Sequence, residues 1–405
     1  MNSSIRKDRL ARRILVNSRI TCLIVGLLSA SACSSTEVIK ANSTPALQAA
    51  AELPAHLYLD IGILPLQTNI PESEEEQEEL MIVPDVRRAE SQFMAFHLKD
   101  TLEQTGNWGA VRVTPHQSNS VDITIAGEVL RSDGELLQVR FQATDSKGKL
   151  WLKKSYKDQA SKFSYRGSRE DPFQDLYNDF ANDLLKYRES MSEEEITSIR
   201  QVSSLKYATS LSPEAFSRYL KQGKNGATEV NQLPADTDRM LKRVEKIKEK
   251  EYLFVDTLDE YYGRFYRDMK GSYDEWRFAT YDEALRLRRL NKQATQRMLG
   301  GAAMIAGGLY AGSESQTYAG QSASVGTVVG GISAIKSGMS RRQEAEIHAA
   351  SLQELSQSLG SEITPYVLDI EGRTIELTGT ANAQYDQWRA MLKEIYEAET
   401  SIPQD

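Results

Sequence analysis

Residues 108–156 read WGAVRVTPHQSNSVDITIAGEVLRSDGELLQVRFQATDSKGKLWLKKSY, and this stretch decides the class of the fold. Four segments of strand length follow one another in it: WGAVRVTP, VDITIAGEVLRS, ELLQVRFQATD and KLWLKKSY. Ser132-Asp133-Gly134 and Ser146-Lys147-Gly148 join them with hairpin chemistry. Leu137, Val139 and Phe141 alternate with Gln138, Arg140 and Gln142, so one side of this sheet is wet. Upstream, LYLDIGILPLQ from Leu57 is another apolar run of strand length. From Val86 the period becomes helical, with Phe93, Phe96, Leu98 and Leu102 able to share a face and Gly106 as a stop. The sum is a βαβ start followed by a meander over roughly Leu57 to Tyr156. Between strand and helix, NIPESEEEQEEL crowds Glu72, Glu74, Glu75, Glu76, Glu78 and Glu79 together. Their mutual repulsion predicts a solvated loop or frayed turn. A cation site is the alternative, although the run lacks the spacing and glycine of a calcium loop.

Within this region Ile63-Leu64-Pro65, Leu102 to Trp108, Ile125 to Glu128 and Thr144 to Trp151 together carry a resemblance. The pattern is similar to the periplasmic lipoprotein domains related to the curli secretion protein CsgG and to the amino-terminal domain of TolB. The resemblance spans about a quarter of the chain. It implies a small α/β binding or assembly module with no active site.

The middle of the chain reads as helical. DPFQDLYNDFANDLLKYRESM places Phe173, Leu176, Tyr177, Phe180 and Leu184 at helical spacing, starting near Asp171-Pro172. SPEAFSRYLKQG predicts a capped helix ending at Gly223. From about Asp236 to Arg297 long charged helices are expected, with a break near Gly271. Tyr252 to Tyr281 is dense in aromatic residues, and Phe254, Leu258, Tyr261, Phe265 and Met269 recur as a packing stripe that Trp276 extends. The same rings beside Asp256, Asp259, Glu260 and Asp268 could alternatively stack on peptidoglycan sugars, although no pair of catalytic carboxylates is identifiable.

MLGGAAMIAGGLYAGSESQTYAGQSASVGTVVGGISAIKSG follows at 298–338. Ala303, Gly307 and Ala311 in one arm, and Gly326, Gly330, Ala334 and Gly338 in the other, repeat every fourth position. Small residues at that spacing let helix backbones approach closely, as in a glycine-zipper hairpin. Three readings stay open: membrane insertion or oligomer contact, a soluble helical hairpin, and a flexible loop. After a helix over 341–359, two strands around Glu371-Gly372 precede a helix with Tyr385, Trp388, Leu392 and Ile395 on one face. The string Gly372 to Thr380 resembles part of the BON repeat of envelope proteins.

The amino terminus says where the protein acts. Arg6, Lys7, Arg9, Arg12, Arg13 and Arg19 precede an apolar run from Ile20 to Ala30, too short to span a bilayer, and then small residues. Ala30-Ser31-Ala32-Cys33 resembles the lipobox of bacterial lipoproteins, with Ala30 where that family usually has Leu. The resemblance implies cleavage before Cys33, acylation of Cys33, and, with Ser34 next, sorting to the periplasmic face of the outer membrane. Ordinary secretion through an A-x-A-like site is the alternative. Removing 32 residues with six basic groups and one acidic group takes the net charge from −8 to −13. A basic nucleic-acid-binding surface is therefore not expected.

Two cysteines exclude a disulfide scaffold and a thiolate zinc module, and His56, His97, His116 and His348 are too far apart in sequence for a short metal motif. His97 and His348 fall in helices and read as packing or surface residues. No phosphate loop, nucleophile elbow, H-E-x-x-H or Rossmann fingerprint is present. The expectation is an α+β, non-enzymatic envelope protein without cofactor or metal. Its segments are a signal at 1–32, a tether at 33–55, an α/β module at 56–160, helices at 170–298, a glycine-rich hairpin at 299–340, and a helix plus ββα tail at 341–400. Its expected partners are the membrane through the lipid and an envelope protein. A second copy of the chain, a secretion or transport assembly, or peptidoglycan are the alternatives.

Overall fold

The computed structural model describes residues 44–310, apart from 167–169, 224 and 236, and residues 349–401, apart from 352, 355–356, 358–365 and 371–372. Strand β1 (Ile61–Ile63) leads through helices α1 (Glu74–Glu79) and α2 (Pro84–Gln104) to β2 (Val111–Val113), and β3 (Ile123–Ser132), β4 (Leu136–Asp145) and β5 (Leu150–Gln159) follow. The sheet order is β2-β1-β3-β4-β5. Ile61 sits opposite both Val111 and Ile123 in parallel pairing. Strands β3, β4 and β5 form the antiparallel meander. The mixed sheet and the helices around it are the α+β class that the alternation predicts.

Leu137, Val139 and Phe141 are buried while Gln138, Arg140 and Gln142 are partly exposed, as the two-residue period requires. Helix α2 buries Phe93, Leu98 and Leu102, and Gly106 follows it at φ +68°, where a side chain would be strained. The glutamate run is not a loop. Ser73 Oγ accepts from the Glu76 amide at 3.2 Å and caps α1, and Glu74, Glu75 and Glu76 lie at the end where the helix dipole favours negative charge. That capping outweighs the repulsion on which the loop expectation rested.

Next come α3 (Lys162–Arg166), α4 (Gln174–Glu189) and α5 (Glu193–Leu211). Helix α4 covers the sheet, with the Phe180 ring 4.6 Å from that of Phe141. Helix α5 begins at a reciprocal box: Ser192 Oγ accepts from the Glu195 amide, and the Glu195 carboxylate accepts from the Ser192 amide. The expected helix to Gly223 is shorter. A single turn, α6 (Pro213–Phe216), gives way to β6 (Leu220–Gln222), which pairs with β7 (Thr228–Val230). Gly226 at φ +75° closes that hairpin.

Helix α7 (Arg239–Tyr310) is 72 residues long, about 108 Å at 1.5 Å per residue. It passes through Gly271 unbroken, correcting the expected break. A glycine costs about 1 kcal/mol relative to alanine in a helix, and buried Met269 and Tyr273 hold the turns on either side. The helix also runs through the 298/299 boundary expected between helical domain and glycine-rich hairpin. Strands β8 (Tyr366–Ile370) and β9 (Arg373–Leu377) then pair antiparallel and lead to α8 (Ala381–Ser401). The described positions between 349 and 357 are helical. Trp388 on α8 is buried with its ring 5.4 Å from Phe254 on α7, so the tail joins the core formed by the sheet and helices.

The expected tether is not free along its described part. The Thr44 amide donates to Asp175 and the Leu47 amide to Asn182. The Thr44 and Pro45 carbonyls accept from Asn178 and Asn182. The Ala49 amide reaches the Thr105 carbonyl at 2.8 Å. Residues 44–50 thus form a strap along α4 and the end of α2, held by bonds that leave no periodic trace in sequence.

Beside the strap, Asp158 on β5 is surrounded by carboxylates. Burial pushes it up to about 6, its hydrogen bond from the Gln159 amide opposes this, and the charges of Asp175, Asp171 and Asp179 add to the rise. A carboxyl raised in the folded state carries no penalty below its unfolded value, and its cost grows as pH rises through the folded value. Asp158→Asn keeps the acceptor for Gln159 and is expected to stabilise the protein by about 1 kcal/mol at about pH 8, after allowance for solvent screening. Near pH 4 the gain should vanish, and urea unfolding at the two pH values measures both.

Candidate functional site

Two places carry concentrated chemistry. One is the seam where α7 lies on the α/β module. Its Arg277 and the Asp171 carboxylate just before α4 are both buried, and they pair through Nη2 at 2.7 Å and Nη1 at 3.3 Å. Asp274 meets the same Nη2, and the guanidinium lies 4.2 Å from the Tyr273 ring centre. Burial alone would raise Asp171, but Arg277 outweighs it and holds the carboxyl well below the usual range. Next along the seam, Glu90 on α2 accepts from Tyr273 at 2.6 Å and from Ser132 at 2.6 Å, and pairs with Arg87 at 2.8 Å. His97 is bracketed by Tyr266 at 2.7 Å and Gln174 at 2.8 Å. Burial lowers its pKa and favours the neutral ring. Its two nitrogens are occupied within the core, which makes it a packing residue.

The aromatic stripe supplies the apolar part of this seam. Phe254, Leu258, Phe265 and Met269 are buried and Tyr261 is half-buried. Trp276 is 4% exposed, with its ring parallel to Tyr273 at 6.1 Å. Its ring face is therefore unavailable to a sugar, which corrects the alternative of a glycan platform at this position.

The second place is a cleft of about 340 Å³ between α5, the segment around Leu233 and the first turns of α7. Its apolar wall comes from Leu205, Leu233, Leu241 and Val244, and Arg200 and Lys248 give it a cationic end. Glu245 and His56 stand exposed at its rim. Arg200 Nη1 donates to the Ala55 carbonyl at 2.7 Å. Near Lys248, Asp60 and Asp122 already have partners. Asp60 accepts from the Ala110 amide at 2.9 Å and from Tyr252 at 3.1 Å. Asp122 accepts from the Asp60 amide at 2.9 Å and from Ser203. The Lys248 ammonium makes no hydrogen bond or ion pair among the described residues, and its contact is the Tyr252 ring at 5.3 Å. Burial lowers its pKa, against the charges of Asp122, Asp60 and Glu251.

No family model, curated protein or solved structure matches this chain. A smaller cavity of about 210 Å³ lies beside buried Glu251, with Tyr207 and Arg389 in its wall. Glu251 is tied to Ser118 at 3.1 Å and Tyr385 at 3.4 Å, so it acts as a polar joint between α7 and the tail helix. Among the described residues no group of three or more His, Cys, Asp or Glu is placed to hold a metal.

Of the residues singled out in the sequence, Ala303 and Gly307 lie one turn apart on α7 and therefore on one face of it. Cys33, Ala311, Gly326, Gly330, Ala334 and Gly338 lie outside the described residues. Among the described residues no helix is long and apolar enough to cross a membrane. The cleft escaped sequence reading because its walls come from four separate stretches. Lys248 stands in a charged run, Val244-Glu245-Lys246-Ile247-Lys248, in which nothing local sets it apart.

Proposed function

We propose that this chain is an outer-membrane-anchored periplasmic lipoprotein acting as a non-enzymatic structural or assembly factor of the cell envelope. The observation that carries the reading is the order of basic residues, a short apolar run and Ala30-Ser31-Ala32-Cys33. Acyl chains on Cys33 would contribute about 0.8 kcal/mol per buried CH₂, enough for stable anchoring once two chains are present. The strap supports it physically. The chain is tied to α4 from Thr44, so the segment between Cys33 and Thr44 spans at most about 40 Å even fully extended. The α/β module is thereby kept near the membrane surface.

Helix α7 then serves as the arm. Its part up to Arg277 is locked to the module by Arg277 itself, by the Tyr273–Glu90 bond and by the aromatic stripe. Past Arg288, whose Nη1 meets Glu135 at 3.2 Å, the helix continues for about 33 Å to Tyr310. Its last turns carry the start of the small-residue pattern, which suits close helix packing against a partner. Membership of a secretion or transport assembly is the form of this function that the glycine-rich turns favour.

Palmitate labelling with membrane fractionation tests the anchoring. Wild-type protein is expected to be labelled and to sediment with outer membrane, and Cys33→Ser to be unlabelled and absent from that fraction. A mature chain with a free Cys33 thiol in the soluble periplasmic fraction would refute the anchor.

A further inference from the structure

The cleft between α5 and the first turns of α7 has two features that the scaffold role does not use. Its wall leaves apolar surface uncovered: Leu233 is 55% exposed at the rim and Leu241 is half-buried, while Leu205 and Val244 form the floor. It is also lined by an ammonium, that of Lys248, which has no ion-pair partner among the described residues. Asp60 and Asp122 lie near Lys248 but are engaged by Ala110, Tyr252 and Ser203, and among the described residues Lys248 Nζ has no ion-pair partner. Arg200 uses one nitrogen on Ala55 and lines the same cleft. A half-buried cation lacking a partner is costly, and an incoming anion would remove that cost. The volume falls at the small end of the range for ligand pockets.

We propose that this cleft binds a single-chain anionic amphiphile, an alkyl monocarboxylate, with its head on Lys248 and Arg200 and its tail along Leu205, Leu233, Leu241 and Val244. The head supplies the charge that Lys248 lacks. The tail covers the apolar rim, and the small volume selects one chain over a two-chain lipid. Glu245 at the rim repels a second negative group and so favours a monoanion over a polyanion. This assignment is independent of the lipid on Cys33, whose chains are joined through ester and amide bonds and present no free carboxylate.

Titration calorimetry of the full-length protein with octanoate, octanol and octylammonium tests the assignment. Octanoate is expected to bind at least about tenfold more tightly than either of the others, a difference of about 1.4 kcal/mol. Lys248→Met, which keeps the stem against Tyr252, is expected to lower octanoate affinity by a similar factor, and Lys248→Arg to restore it. The thermal midpoint of each variant, read alongside, shows that the fold is intact. A second variant, Leu241→Gln, should weaken octanoate and octanol alike. Three results would overturn the proposal: no octanoate binding at millimolar concentration, octylammonium binding as tightly as octanoate, or unchanged octanoate affinity in a folded Lys248→Met protein.

Discussion

Replacing Arg277 by methionine is expected to destabilise the protein by about 3–5 kcal/mol, because it leaves the Asp171 carboxylate buried without its counter-charge. Both side chains are 2% exposed, so water cannot compensate. Asp171 also accepts from the Phe173 amide at 2.9 Å, which fixes the entry into α4, so losing the ion pair disturbs that helix as well as the seam. Asp171→Asn keeps this cap, and the double variant Arg277→Met/Asp171→Asn should recover part of the loss, with a coupling of at least about 1 kcal/mol. The pH dependence has a definite sign. Arg277 holds the folded pKa of Asp171 down. The pair's contribution is therefore complete above the unfolded carboxyl value, about 3.9, and is lost as pH falls below it. The deficit of Arg277→Met should thus shrink toward acid, where the orphaned carboxyl takes up a proton. Urea midpoints at several pH values measure each part.

Gly134→Ala is expected to be equally disruptive without changing any charge. Gly134 closes the β3–β4 hairpin directly against α7, and a Cβ there would lie 2.0 Å from the Arg277 carbonyl oxygen and 2.6 Å from the Tyr281 amide nitrogen. These are helix backbone atoms and cannot step aside as a side-chain end can. The hairpin must move off the helix, breaking the bond from Tyr165 to the Gly134 carbonyl at 2.6 Å and opening the seam around Arg277. Overpacking typically costs about 1–3 kcal/mol and occasionally more, and a clash with helix backbone puts Gly134 at the upper end of that range. Gly271→Ala is the matched control: nothing lies within 4 Å of its Cβ position. It should stabilise α7 by up to about 1 kcal/mol. Thermal unfolding of the two variants should move in opposite directions, and limited proteolysis of Gly134→Ala should cut the β3–β4 hairpin.

Where burial is one-sided and turns are short, sequence and structure agree. The alternation through Leu137, Val139 and Phe141 and the turns at Gly134 and Gly148 define the meander, and Tyr385, Trp388 and Leu392 mark the inner face of the last helix. Disagreement begins where distant residues decide. Gly271 stays helical because Met269 and Tyr273 are packed against the module, which local propensity does not contain. The glutamate run becomes a helix through one serine, Ser73. The Ser192–Glu195 box that starts α5 has the S-x-x-E pattern of a capping box, whereas the composition around it reads only as continuous helix. Arg277 looked like one charge among many on a long helix, and its partner lies 106 positions earlier. The strap and the cleft were hidden for the same reason.

In the proposed role α7 is the arm that a lipid-anchored module directs at an envelope partner. The most direct measurement places a photo-crosslinking residue at exposed Lys292, on the part of α7 beyond Arg288, and a second at exposed Lys153 on β5 as control. Both are irradiated in intact cells, with wild-type Cys33 and with Cys33→Ser. The account predicts a discrete adduct with one envelope protein, or with a second copy of the chain, from Lys292 and not from Lys153, which disappears in Cys33→Ser. The same adducts from both positions, or a Lys292 adduct that persists without Cys33, would contradict it.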